Sequence, residues 1–242
     1  MAQALAPDAF KGAMLKRLEG RRHWEQPIVK QIAAGTATPE QIGYLGVLFY
    51  HFTRHTPQVL STIHSRCSDR KIRRRIMDVL IDEDTELRCG SAGHDVLAMD
   101  FATRFTGLSE DEVEGHPVPE TLDKMIEYRY DVARNLPIPI ALGNSGIAGE
   151  SHFAGACRLI SDGLREHYGV RDEDQESWNV HIEGDEEHGN NAFAAVCAYA
   201  TTPELQDKMF WCIDNYLLHW NNFWTESGKG ALLRFPRNQA AE

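Results

Sequence analysis

The sequence predicts an all-α protein, and three observations carry that expectation. Nearly every segment of the 242-residue chain repeats its apolar residues with a helical period. No alternating, β-branched run is long enough for a strand. Helix-start signals recur at Thr38, Asp69, Ser109 and Thr202. With 42% hydrophobic residues the chain can bury a sizeable core, so we expect one large domain with an irregular tail from about residue 228.

The net charge of −11 weighs against nucleic acid and anionic membrane as partners, because both repel an acidic surface. No apolar run reaches the roughly 18 residues of a spanning helix, and the N-terminal residues lack a signal-peptide core. The five cysteines are odd in number and scattered, without a C-x-x-C pair. That usage fits reduced thiols in the cytoplasm, each acting as a small core residue.

In chain order, Pro7 opens a first helix through Leu18, and an amphipathic piece follows over 23–32 until Gly35 stops it. Thr38-Pro39-Glu40-Gln41 is a capping box with proline at the first helical position. Its helix carries Ile42, Leu45, Phe49 and Phe52 inward and should kink at Pro57. His51 and His55 lie at i, i+4 without a nearby acid, so with Tyr44 they are candidate substrate-binding residues rather than ligands. Asp69 caps a helix whose inward stripe is Ile72, Ile76, Val79 and Leu80, and the next inward position is Glu83.

After a glycine-rich segment, His94 opens another periodic run with Leu97, Ala98, Phe101 and Phe105. In an unbroken helix Glu83 and His94 would stand about 16 Å apart along the axis. They converge only if the segment between them loops; otherwise His94 is an exposed loop histidine. Ser109 starts a second capping box, and Pro119 leads a helix with Leu122, Met125, Ile126, Tyr130 and Ala133 inward. The small-residue stretch ALGNSGIAGESHFAGACRLI reads as one helix with Gly146, Phe153, Cys157 and Ile160 inside and Glu150 among them. Glu150 is there either as a ligand or as a core glutamate paired to a cation. Thr202-Pro203 begins the last long helix, with Met209, Cys212, Ile213, Tyr216, Trp220 and Phe223 as its core stripe.

The most informative stretch is WNVHIEGDEEHGNNAFAAVCAY at 178–199. His181, Asp185 and His188 sit at i, i+4 and i+7, which on a helix fall within roughly 60° of one another. Ala192, Ala195 and Tyr199 continue this stripe, which should face the core. Imidazoles and a carboxylate on a buried stripe need partners. Together with Glu83, His94 and Glu150 they make three carboxylates and three imidazoles, which nearly balance two divalent cations. Mixed N/O ligation suits iron or manganese better than structural zinc.

The motifs VLSTIHSRCSD (59–69), LIDED (80–84), AGES (148–151) and H-x3-D-x2-H, in that order, resemble the haem-oxygenase-like diiron oxidase/oxygenase family. The pattern resembles that of its death-domain-associating chlamydial branch. The wider superfamily holds thiaminase-type enzymes and the PQQ-synthesis oxidase. The likeness spans roughly residues 38–200. It implies a single haem-oxygenase-like bundle of roughly seven to eight helices, assembled as a homodimer. It also implies two iron ions, with manganese as the alternative, on Glu83, His94, Glu150, His181, Asp185 and His188, and O2 as co-substrate. The segment between Glu83 and His94 is longer than the family's, which leaves Glu86 as a substitute first ligand. Ile160 and Val29 stand where the p-aminobenzoate-forming members carry a lysine and a sacrificial tyrosine, so self-sacrificing synthesis is not implied.

The expected activity is O2-dependent oxidation of a small organic substrate, of amino acid, amine or fatty acid type, by desaturation, oxidative cleavage or N-oxygenation. One rival is a metal-free oxidase resembling the PQQ-synthesis enzyme, with the histidines as acid–base groups. Another is a protein-interaction module, which needs an exposed apolar patch that the sequence does not present.

Overall fold

The computed structural model describes residues 3–85, 87 and 92–231, and within 183–188 the backbone alone. Glu86, Cys89 and most of the C-terminal tail therefore lie outside the described residues. Those described form α-helices and short 3-10 turns, with no strand among them. The helices are α1 (Pro7–Leu18), α2 (Pro27–Ala33), α3 (Pro39–Thr53), α4 (Thr56–Arg66), α5 (Arg70–Asp84) and α6 (His94–Thr106). They continue as α7 (Glu110–Glu114), α8 (Glu120–Asn135), α9 (Ile138–Ala148), α10 (Phe153–Tyr168), α11 (Glu176–Tyr199) and α12 (Pro203–Ser227). None is long and apolar enough to cross a membrane.

The expected caps form. Thr38 Oγ1 accepts from the Gln41 amide at 3.2 Å while Gln41 Oε1 accepts from the Thr38 amide at 2.8 Å. Ser109 and Glu112 form the same box on α7, while Asp69 and Thr202 cap α5 and α12 with their side chains alone. Gly35 ends the α2 segment with φ 67°, a conformation that glycine adopts without a Cβ clash.

From Ile42 to Thr53 every residue of α3 is buried, which makes it the central helix. It packs along α6, while α9 and α10 flank α11, and α12 covers α8 and α9. Phe49 stacks on Trp178 at 4.7 Å between ring centroids, tying α3 to α11. A second apolar cluster, including Val59, Ile63, Ile72, Ile76, Val132 and Ala141, joins α4, α5, α8 and α9.

Four expectations change. The 23–32 piece divides into a 3-10 turn, His23–Glu25, and α2, because Pro27 starts a new helix. No kink forms at Pro57: α3 ends at Thr53 and α4 begins at Thr56, so the proline falls in a first turn where its missing N–H costs nothing. The small-residue stretch is two helices, interrupted at Gly149 (φ −100°, ψ −80°) and joined by the 3-10 turn Glu150–His152. On α11, Phe193 and Val196 enter the core, followed by Ala200 just past its end. Ala192 packs against the core as expected and also borders a cavity, while Ala195 and Tyr199 line that cavity, whose other walls are α4, α5, α8 and α9.

Candidate metal centre

Glu83 lies on the last turn of α5, on the stripe that buries Ile72 and Ile76, and is 7% exposed. The chain then turns back, so His94 at the start of α6 brings Nδ1 to 3.2 Å from Glu83 Oε2. The return is tight: a Cβ on Gly93 would stand 3.2 Å from the Asp84 carbonyl carbon. The two ligand candidates therefore meet.

His181, on α11, brings its ring to 4.5 Å from that of His94. Its Nδ1 donates to the Ser177 carbonyl at 2.8 Å. A carbonyl only accepts, so the proton sits on Nδ1 and Nε2 keeps its lone pair, the tautomer a metal-binding imidazole needs.

Glu150 reaches the site from the 3-10 turn after α9, and that turn is held from behind. His23 Nε2 donates to the Gly149 carbonyl at 3.1 Å and His152 Nε2 to the Ala148 carbonyl at 3.0 Å. The His23 amide donates to His152 Nδ1 at 3.2 Å, and Trp224 Nε1 donates to His23 Nδ1 at 3.0 Å. Both imidazoles are neutral in this pattern. Burial pushes the His23 pKa well below its ordinary value and that of His152 down to about 4. On the other side α11 packs directly on the turn: a Cβ at Gly189 would meet Ser151 Cα at 2.6 Å.

Glu83, Glu150 and His181 line one cavity of about 40 Å³, walled by Phe49, Phe153 and Trp220. Thr56, Arg129, Ser145 and Glu150 are shared with a second cavity of about 640 Å³ between α4, α5, α8, α9 and α11. Glu150 is thus common to a small, aromatic-walled chamber and a space of ligand size.

Of the six expected ligands, the structure brings Glu83, His94 and His181 together and sets Glu150 on the same small cavity. The α11 backbone is helical through 185 and 188, as the spacing requires, but the side chains of Asp185 and His188 lie outside the described residues, as does Glu86. Among the described residues no three His, Cys, Asp or Glu side chains stand close enough to hold an ion by themselves. The donors present, carboxylates and imidazoles in a buried aromatic setting, fit iron or manganese in type.

The expected substrate-binding residues sit elsewhere, lining neither cavity. His51 Nε2 donates to the Val113 carbonyl at 2.9 Å, His55 pairs with the Tyr130 hydroxyl at 3.1 Å, and Tyr44 tilts against His116. His51, on α3, thus turns to α7, and His55, in the turn between α3 and α4, to α8. Sequence reasoning missed His23, His152 and Arg129. Only Arg129, an unexplained charge within an inward helical stripe, left a local signal.

The sequence profile of the iron-containing redox enzymes matches residues 45–221. The chain is similar to a 4-aminobenzoate synthase of Chlamydia pneumoniae, 25% identical over 175 residues that make up 72% of this chain and 75% of that one. It is also similar to a 4-chloro-allylglycine synthase of Streptantibioticus cattleyicolor, 26% identical over 206 residues, 83% of this chain and 77% of the other. A solved TenA homologue of Pseudomonas syringae superposes with a TM-score of 0.77 at 10% identity, over 95% of this chain and 99% of that one. A CADD-like protein of Nostoc punctiforme does so with a TM-score of 0.72 at 16% identity, over 93% and 98%. At such identities the structural likeness speaks for the fold, the haem-oxygenase-like bundle that the motifs imply.

Proposed function

The chain belongs to the family of iron-containing redox enzymes, and on that footing we propose that it is a non-haem diiron enzyme that uses O2 to oxidise a small organic substrate. One observation carries the proposal: Glu83, His94 and His181, from three separate helices, converge inside the bundle beside a cavity that Glu150 also lines. Glu83, Glu150, Asp185, His94, His181 and His188 are the proposed ligands, two iron ions the proposed cofactor, and manganese the alternative metal. Bound iron would supply the electrons that reduce dioxygen.

The chain's own residues do the rest. Ser177 fixes the His181 tautomer, and the His23–His152–Trp224 network fixes the turn that carries Glu150. Phe49, Phe153 and Trp220 exclude water from the small cavity. Tyr216, hydrogen-bonded to Ser145 at 3.1 Å, holds its phenolic proton because burial raises its pKa. The proposed substrates are of the amino acid, amine or fatty acid type, with desaturation, oxidative cleavage or N-oxygenation as the outcome. Val29 and Ile160 are fully buried apolar residues, so self-sacrificing p-aminobenzoate synthesis is not part of the proposal. The enzyme is taken to be a cytoplasmic homodimer.

The test is anaerobic purification, titration with Fe(II), and mass spectrometry of candidate amino and fatty acids incubated with the loaded protein and O2. Two iron ions per chain and oxidised product are expected. Oxidation that persists with no iron above trace would overturn the proposal.

A further inference from the structure

Arg129 is 2% exposed on α8, yet it lines both the small cavity beside Glu150 and the large one. Its Nη1 donates to the Phe52 carbonyl at 3.1 Å and its Nη2 to Thr56 Oγ1 at 2.9 Å. The guanidinium carbon stands 4.1 Å from the Phe52 ring centroid. All of these partners are neutral. Among the described residues no carboxylate pairs with it, and its Nε–H is buried without a hydrogen bond. A guanidinium does not deprotonate to escape burial, so an unpaired one inside a protein is a costly arrangement that an anion relieves.

The space beside it has a consistent character. Val59, Leu60, Ile63, Ile72, Ile76 and Val132 give the large cavity an apolar wall. Lys71 and Arg75 line it from α5, along with Asp78 and Asp82. Arg70, Arg73 and Arg74 crowd the same end of α5. In a chain of net charge −11 these cations gather at a helix N-terminus, where the backbone dipole disfavours them. Along the lining, the cations Lys71, Arg75 and Arg129 stand against the carboxylates Asp78, Asp82 and Glu150.

We propose that Arg129 anchors the carboxylate of an organic acid whose apolar body fills the large cavity. The Nη–H groups not spent on Phe52 and Thr56 are donors that a carboxylate accepts in charge-assisted hydrogen bonds. Since Arg129 and Glu150 line both cavities, the carbons next to the carboxylate are the ones presented to the metal ligands. Arg129 is then a specificity-determining residue that selects acids over amines and alcohols. That this is a substrate site rests on the proposed function; that it is an acid-binding site does not.

Calorimetry on the full-length chain under argon tests this, with straight-chain acids from butanoate to dodecanoate and the matching alcohols and amines, each with Fe(II) and after chelation. Equal chain lengths cancel the apolar contribution. Wild type should bind the best acid roughly tenfold to hundredfold more tightly than its alcohol. Arg129→Met should bring the acid to the alcohol's affinity while leaving the alcohol unchanged, and Arg129→Lys should recover part of the difference. If acid and alcohol bind wild type alike, or no acid binds, the proposal is overturned without any variant. It is overturned too if Arg129→Met, with an unchanged circular dichroism spectrum, weakens both alike, which makes Arg129 a support of the α3–α4 junction. Acid selectivity in a chain that takes up no iron would sink the proposed function and leave this inference standing. Iron uptake and O2 consumption without acid selectivity would do the reverse.

Discussion

Replacing Gly189 by alanine tests how the Glu150 turn is held. The new Cβ would stand 2.6 Å from Ser151 Cα, 2.8 Å from Ser151 Cβ and 3.2 Å from the Ser151 amide nitrogen. Two of these atoms are backbone, so no rotamer change relieves the contact. Restoring van der Waals distance moves the turn and α11 apart by about 1 Å. Overpacking of this kind costs about 1–3 kcal/mol, and alanine returns about 1 kcal/mol of helix propensity. The net loss is then about 1 kcal/mol, and the protein stays folded. At the site, a misplacement of about 1 Å is expected to lower O2-coupled turnover on the order of a hundredfold and to weaken iron binding. Gly12→Ala is the control: it lies on exposed α1 with nothing within 4 Å of its Cβ, so it should stabilise by up to about 1 kcal/mol and leave the iron alone. Urea denaturation, Fe(II) titration and O2 uptake on both variants give the answer. If Gly189→Ala matches wild type in iron affinity and turnover, the packing of α11 on the Glu150 turn is not what shapes the site.

Three further outcomes are expected. Glu150→Ala should halve the iron bound per chain by plasma mass spectrometry with helicity unchanged, and full loading would remove Glu150 from the ligand set. His152 is buried neutral with a pKa lowered from 6.5 to about 4, so in acid the unfolded chain takes up the proton more readily than the folded one. Its contribution is whole above pH 6.5 and falls as pH drops toward 4, by about 3 kcal/mol; urea midpoints across that range should fall less steeply in His152→Asn. Thr38→Ala removes the cap of the central helix and should cost about 1 kcal/mol; an unchanged urea midpoint would mean that packing alone sets the start of α3.

The sequence by itself determined what is settled within a turn or two of helix. The caps at Thr38, Asp69, Ser109 and Thr202 form where the residues call for them, because the donors they satisfy are two or three residues away. The inward register of Glu83 holds for the same reason: a helical period started by Asp69 carries Ile72 and Ile76 to the core, and Glu83 with them. Only the tertiary structure decided how far apart those groups stand. The Glu83–His94 contact depends on a chain reversal whose span no periodicity measures. The His23–His152–Trp224 network joins residues 129 and 201 positions apart, and the Arg129 partners lie 73 and 77 positions away. Ala195 and Tyr199 read as core and line a cavity instead, since a void exists where other helices fail to meet, and no single stretch of chain encodes an absence of neighbours.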